Sequence, residues 1–167
     1  GDLAPLERAF LKMEELLLEI RASGETVTHV DLGGGLGVPY KKGEAMPSPA
    51  EYGDMVARIT ENWDVQLMFE PGRVIAGNAG VLLTEVVRVK RNANRDPFVI
   101  VDAAMNDLAR PAMYGAWHDI VPVAEPAPGT EQAPYDIVGP VCESGDTFAK
   151  QRNLPPVSEG DLIAFRS

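Results

Sequence analysis

Residues 29–40 read HVDLGGGLGVPY, and the fold turns on how this stretch is interpreted. An apolar run carrying one aspartate ends in Gly33, Gly34 and Gly35, with Gly37 two positions on. Glycine inside a strand or helix costs roughly 0.5–1 kcal/mol relative to alanine. Glycines at four of the five positions 33–37 therefore indicate that the backbone has something to approach where a strand stops. TVTHVDL, residues 26–32, is rich in β-branched residues and predicts that strand.

Upstream, LAPLERAFLKMEELLLEIRA (3–22) predicts an amphipathic helix. Leu6, Phe10, Met13, Leu17 and Ile20 recur at spacings of three or four, Asp2 is placed to cap it, and Gly24 lies just past its end. Downstream, SPAEYGDMVARITENW (48–63) predicts a second helix, with Ser48 as cap, Pro49 in its first position and Glu51 in its third. VQLMFEP (65–71) predicts another strand. Helices alternating with strands across short connections form an α/β unit with parallel strands. The character changes near residue 80. GVLLTEVVRVKR, PFVIVDAAM, YDIVGPVC and GDLIAF predict strands, charged KRNANRD separates the first two, and residues 125–134 predict a Pro/Ala/Gly loop. The expected fold class is α/β plus β, with an α/β portion over 1–79 and a β-rich portion over 80–167.

The chain has 167 residues, 45% of them hydrophobic and 24% charged, as in a globular protein. A net charge of −10 opposes binding to nucleic acid. The apolar runs are too short to span a bilayer, and Glu7, Glu14 and Glu15 fall where a signal peptide needs apolar residues. One cysteine, Cys142, allows no internal disulfide and fits a reducing, cytoplasmic compartment. With only two histidines beside it, no dedicated metal site is expected.

In α/β folds ligands gather at the carboxyl ends of strands. Backbone N–H groups of the glycine loop can cradle an anion such as a phosphate, although a tight, closely packed turn would use the same glycines. The loop fits neither GxGxxG nor a P-loop. The next strand ends in MFEPGR, with Glu70, Gly72 and Arg73 at its tip. Glu70 and Arg73 either pair on the surface, which is worth little, or face a ligand. A carboxylate accepting from a protonated ring nitrogen and a guanidinium gripping a carboxylate suit an amino acid bound with a cofactor.

VDLGGGLGVPY, FEPGR, NAGVLLTEVVRVK, FVIVDAAMNDLARPAMYGAWHDIVPV and GPVCESGDTFAK follow one another as in the diaminopimelate decarboxylase family. The chain resembles that family along nearly its whole length, and RPAMY and CESGD carry the resemblance more specifically than the glycines. Decarboxylases of ornithine, arginine or carboxynorspermidine share the glycine loop and the EPGR-like segment.

The resemblance implies the C-terminal part of a pyridoxal 5'-phosphate (PLP)-binding (β/α)8 barrel, of the alanine-racemase type, followed by part of a β-rich barrel or sandwich domain. It implies decarboxylation of meso-2,6-diaminopimelate to L-lysine and CO2. Action on another basic amino acid, or a non-catalytic relative, are the alternatives. It places the PLP phosphate on amides of Gly33, Gly34 and Gly35 and on the turn of Pro71, Gly72 and Arg73, with Glu70 on the ring nitrogen. Arg73, Arg110 and Tyr114 would hold the substrate's distal carboxylate, Glu143 would read its distal ammonium, and Cys142 would return a proton to the carbon that loses CO2. Cys142 and Glu143 would reach into the partner subunit's site, which implies a homodimer with shared active sites.

The lysine that carries the cofactor in this family lies upstream of the matching segments, and none of Lys12, Lys41, Lys42, Lys90 and Lys150 stands in its motif. An internal portion of a longer enzyme, inactive by itself, is therefore expected.

Taken alone, several of these residues have plainer readings. A lone cysteine is usually a small buried hydrophobe, but the Glu-Ser-Gly-Asp after Cys142 argues for exposure. Arg110 and Tyr114 stand four apart, on a short helix or, because of Pro111, on a loop or first helical turn. Asp31 and Asp102 interrupt apolar runs as buried, hydrogen-bonded strand residues would, and His29 and His118 are expected to be structural.

Overall fold

The computed structural model describes residues 2–167, with the backbone alone at Asn92. Gly1, where the expected α/β portion opens, lies outside the described residues. The chain divides into two compact units, Gly1–Ala79 and Gly80–Ser167.

The first unit runs α1 (Ala4–Ala22), β1 (His29–Asp31), α2 (Pro49–Thr60), β2 (Gln66–Met68) and α3 (Gly72–Ala76). Asp2 takes up the start of α1, its Oδ1 accepting from the Ala4 N–H at 2.9 Å. Phe10 and Leu17 of the predicted helical face are buried, packing with Val30, Met55, Val56, Ile59 and Trp63 while Leu6 and Met13 close the edge. α2 begins with a capping box in which Ser48 Oγ accepts from the Glu51 N–H and Glu51 accepts from the Ser48 N–H. β1 and β2 run parallel, with His29, Val30 and Asp31 opposite Gln66, Leu67 and Met68. Both strands are shorter than the sequence predicts, because each has one neighbour and the ladder is three residues long.

The second unit holds β3 (Leu82–Asn92), β4 (Arg95–Val101), α4 (Arg110–Tyr114), β5 (Asp119–Pro122), β6 (Ala133–Val138), β7 (Thr147–Leu154) and β8 (Leu162–Arg166). These strands form one six-stranded sheet in the order β5-β8-β3-β4-β6-β7, parallel between β4 and β6 and antiparallel elsewhere. Its core is Val86, Val99, Val101, Ile137, Leu154 and Ile163, with the Phe148 and Phe165 rings 4.7 Å apart between centroids. The end strands approach each other, so the sheet is nearly closed. Arg152 of β7 fastens this seam by donating from Nη1 to the His118 carbonyl at 2.7 Å, with its guanidinium 4.3 Å from the Trp117 ring centre.

Three local expectations are corrected. The charged KRNANRD segment is mostly strand, because β3 continues to Asn92 and β4 resumes at Arg95 across a two-residue turn. Asp31 and Asp102 are hydrogen-bonded but exposed. Asp102 sits just beyond β4, accepting from the Thr84 hydroxyl and the Glu85 N–H, which hold its carboxyl below the ordinary range. α3, β5 and β7 were not marked by any sequence signal used above.

Candidate functional site

The predicted residues fall into two sets, one in each unit. In the first unit, the connections leaving β1 and β2 stay clasped after the ladder ends. Leu32 N–H donates to the Met68 carbonyl at 3.0 Å, and Glu70 N–H donates to the Gly33 carbonyl at 2.8 Å. A Cβ on Gly34 would collide with the Glu70 carbonyl oxygen, and Gly33 and Gly35 take φ of +66° and +110°. What this backbone first approaches is therefore the protein's own neighbouring strand end.

The clasp also sorts the expected phosphate donors. Gly33 N–H already donates to Asp31 Oδ1 at 2.8 Å, and Gly72 N–H donates to the Glu70 carbonyl at 2.8 Å. Pro71 has no N–H to offer, and its ring fixes the turn instead. The amides of Gly34 and Gly35 make no hydrogen bond among the described residues. The Glu70 and Arg73 side chains are both exposed, and neither forms an ion pair among the described residues, so the mutual surface pair is not what they make. Beside them an apolar cavity of about 320 Å³ is lined by Gly33, Gly34, Leu36, Tyr52, Phe69 and Pro71.

In the second unit, Arg110 and Tyr114 stand one turn apart on α4, with Pro111 in its first turn and Gly115 closing it at φ +59°. This stretch is thus a short helix rather than a loop, and Pro111 lies in its first turn, where a helix start tolerates it. Tyr114 is 71% exposed. Cys142 is exposed, as its polar neighbours predict. Glu143 Oε1 accepts from the Gly145 N–H at 3.0 Å and from the Ser144 hydroxyl at 3.1 Å. These two donors, the amide first, hold its carboxyl below the ordinary range. Oε2 makes no hydrogen bond among the described residues and faces no such competition.

Sequence reasoning missed what holds this loop. Asp146 is 3% exposed, accepting on Oδ1 from the Met105 N–H at 2.7 Å and on Oδ2 from the Val141 N–H at 2.8 Å. Gly139 is required beside it, because a Cβ there would run into the Asp146 carboxylate. The signal available was an aspartate three residues after a glutamate in a polar stretch, which reads as surface. Among the described residues no helix is long and apolar enough to cross a membrane, and no cluster of side chains could hold a metal ion.

Residues 22–167 match the family described as pyridoxal-dependent decarboxylase, C-terminal sheet domain. The diaminopimelate decarboxylase of Zymomonas mobilis is 48% identical over 99% of this chain and 39% of its own length. The structure of the Helicobacter pylori diaminopimelate decarboxylase complexed with L-lysine is 38% identical, with a TM-score of 0.85, over 99% of this chain and 40% of that one. The arginine decarboxylase of Paramecium bursaria Chlorella virus has a TM-score of 0.84 at 21% identity, a likeness of fold alone. The chain thus spans about two fifths of the length of the relatives it matches. A match along nearly the whole sequence, on a fold that recurs in each of these enzymes, places this chain in the pyridoxal-dependent decarboxylase family.

Proposed function

We propose that the enzyme to which this chain contributes is a PLP-dependent carboxy-lyase that converts meso-2,6-diaminopimelate to L-lysine and CO2. The observation that carries this reading is the 48% identity to a diaminopimelate decarboxylase along 99% of the chain. The residues present fit the cofactor. Gly34 lets the loop lie against the Glu70 strand end, the Gly34 and Gly35 amides have donors to spare, and the exposed Glu70 carboxylate makes no ion pair among the described residues.

When bound, PLP supplies a ring that withdraws the electron pair released as CO2 departs. Gly34 and Gly35 would donate to its phosphate, leaving Gly33 to shape the loop. Glu70 would keep the ring nitrogen protonated through a charge-assisted hydrogen bond. Arg73, Arg110 and Tyr114 would hold the distal carboxylate of the substrate. The charged Glu143, with Oε2 available, would accept from the distal ammonium. Cys142 would deliver a proton to the carbon that has lost CO2, and its exposure leaves the thiol able to reach a ligand.

Ornithine and arginine have no distal carboxylate, so three of these side chains favour diaminopimelate over them. The reading extends to a cytoplasmic homodimer in which Cys142 and Glu143 serve the partner's site. The single free cysteine and the absence, among the described residues, of a helix long and apolar enough to cross a membrane are consistent with that setting.

The test is a substrate panel on the full-length holoenzyme, following L-lysine and CO2. Diaminopimelate should exceed ornithine and arginine in kcat/KM by about 10³-fold or more, as expected of a site whose polar groups pair with a distal carboxylate that the wrong substrates lack. Equal or better turnover of ornithine or arginine would overturn the assignment.

A further inference from the structure

Asp146 is a buried carboxylate with no cation against it among the described residues. Burying a charge is costly unless every lone pair it turns inward is met. Here the partners are backbone amides from two loops distant in sequence. Oδ1 takes the N–H of Met105, in the loop after β4, and Oδ2 takes that of Val141, in the loop after β6. Its own backbone closes the second loop, its carbonyl accepting from the Gly139 N–H at 3.0 Å and its N–H donating to the Glu143 carbonyl at 3.0 Å. Cys142 and Glu143 lie between these fastenings. The first loop is pinned in turn, as Ala103 N–H donates to Thr84 Oγ1 at 3.0 Å and Ala104 N–H to Asp107 Oδ2 at 2.8 Å, and five residues after Met105 it enters α4 at Arg110.

We propose that Asp146 is a positioning residue, whose carboxylate fixes the backbone under Cys142 and Glu143 and ties it to the segment that leads to Arg110 and Tyr114. Its importance to turnover rests on the functional reading above; its geometric role does not. Gly139 belongs to the same device, since any side chain there would displace the carboxylate.

The variant of choice is Asp146→Asn, which keeps the shape but can accept from only one of the two amides. In the full-length holoenzyme, assayed well below the melting temperature, kcat should fall about 10-fold or more through the thiol, and KM should rise as well through Glu143. The rate at which iodoacetamide alkylates Cys142, read by mass spectrometry of its peptide, should shift by about threefold or more as the loop loosens. In the unaltered enzyme, the amides of Val141 and Met105 should exchange with deuterium about 100-fold more slowly than open loop amides.

Asp146→Asn with kcat and alkylation within about twofold of the original enzyme would overturn the proposal. So would open-loop exchange at Val141 and Met105, a measurement that decides the matter even where the variant does not fold. If instead Cys142→Ala leaves turnover unchanged, the functional reading fails, while alkylation and exchange still judge Asp146.

Discussion

Gly34 and the carbonyl of Glu70 stand so close that no side chain fits between them. Extra atoms forced into a closely packed contact typically cost about 1–3 kcal/mol. Gly34→Ala should lose that much stability, and PLP affinity should weaken with it, because the Glu70 loop must move aside. Gly53 is a fitting control, lying in α2 with nothing within 4 Å of a Cβ. Gly53→Ala should stabilise by about 0.5–1 kcal/mol. Denaturant titration of both variants checks the pair, and equal effects would show that the clasp at Gly34 is not tight.

Glu70→Gln should leave PLP binding measurable by absorbance while slowing decarboxylation strongly. The amide keeps the size of the side chain but not the charge that favours a protonated ring nitrogen. Unchanged kcat would remove Glu70 from the site.

Cys142→Ala should lower kcat by about 10²–10⁴-fold, the usual worth of a positioned general acid, with a smaller change in KM. Mixing this variant with one lacking the cofactor-bearing lysine tests the shared site. Re-paired subunits should regain activity, since one site in each mixed dimer then has both groups intact. Mixed dimers that stay inactive would confine Cys142 to its own subunit or exclude it.

His118 is buried, and burial first, then the charges of Arg110 and Arg152, push its imidazole below the ordinary value, against a hydrogen bond to the Arg166 backbone. Above about pH 6.5 neither folded nor unfolded chain holds that proton. As pH falls below this value, the unfolded chain binds a proton that the folded chain refuses, so stability should decline until the folded pKa is passed. Denaturation midpoints at about pH 7.5 and 5.5 should show the decline, and His118→Gln should remove most of it. A flat profile in the unaltered protein would contradict the shift.

What was legible in the sequence was what is local. Ser48, Pro49 and Glu51 announce the start of α2 within four residues, and the face of α1 follows from spacing alone. β7 was not legible because its alternation is broken. Gln151 takes φ +50° in mid-strand and turns its N–H to Asp136 Oδ1 at 2.9 Å, so TFAKQRNL does not read as a two-residue repeat. α3 is five residues long without a side-chain cap. At the site, the glycines and Glu70 stood out by composition, but the engagement of Gly33 by Asp31 depends on a turn whose closing no residue type announces. Asp146 was hidden because one of its partners, Met105, lies 41 residues away.

The position of β8 has a kinetic consequence. Although β3 to β7 all precede it in sequence, β8 lies inside the sheet, hydrogen-bonded to β5 on one side and to β3 on the other. As the ribosome delivers the chain from its amino end, β3 and β5 must wait with bare edges until Leu162–Arg166 emerges. Pairing Leu82 with Phe165 closes a long loop, the kind of contact that slows folding. Strand edges left open invite other chains to pair with them. A nascent chain halted just short of Leu162 therefore exposes two adhesive edges at once, one on β3 and one on β5.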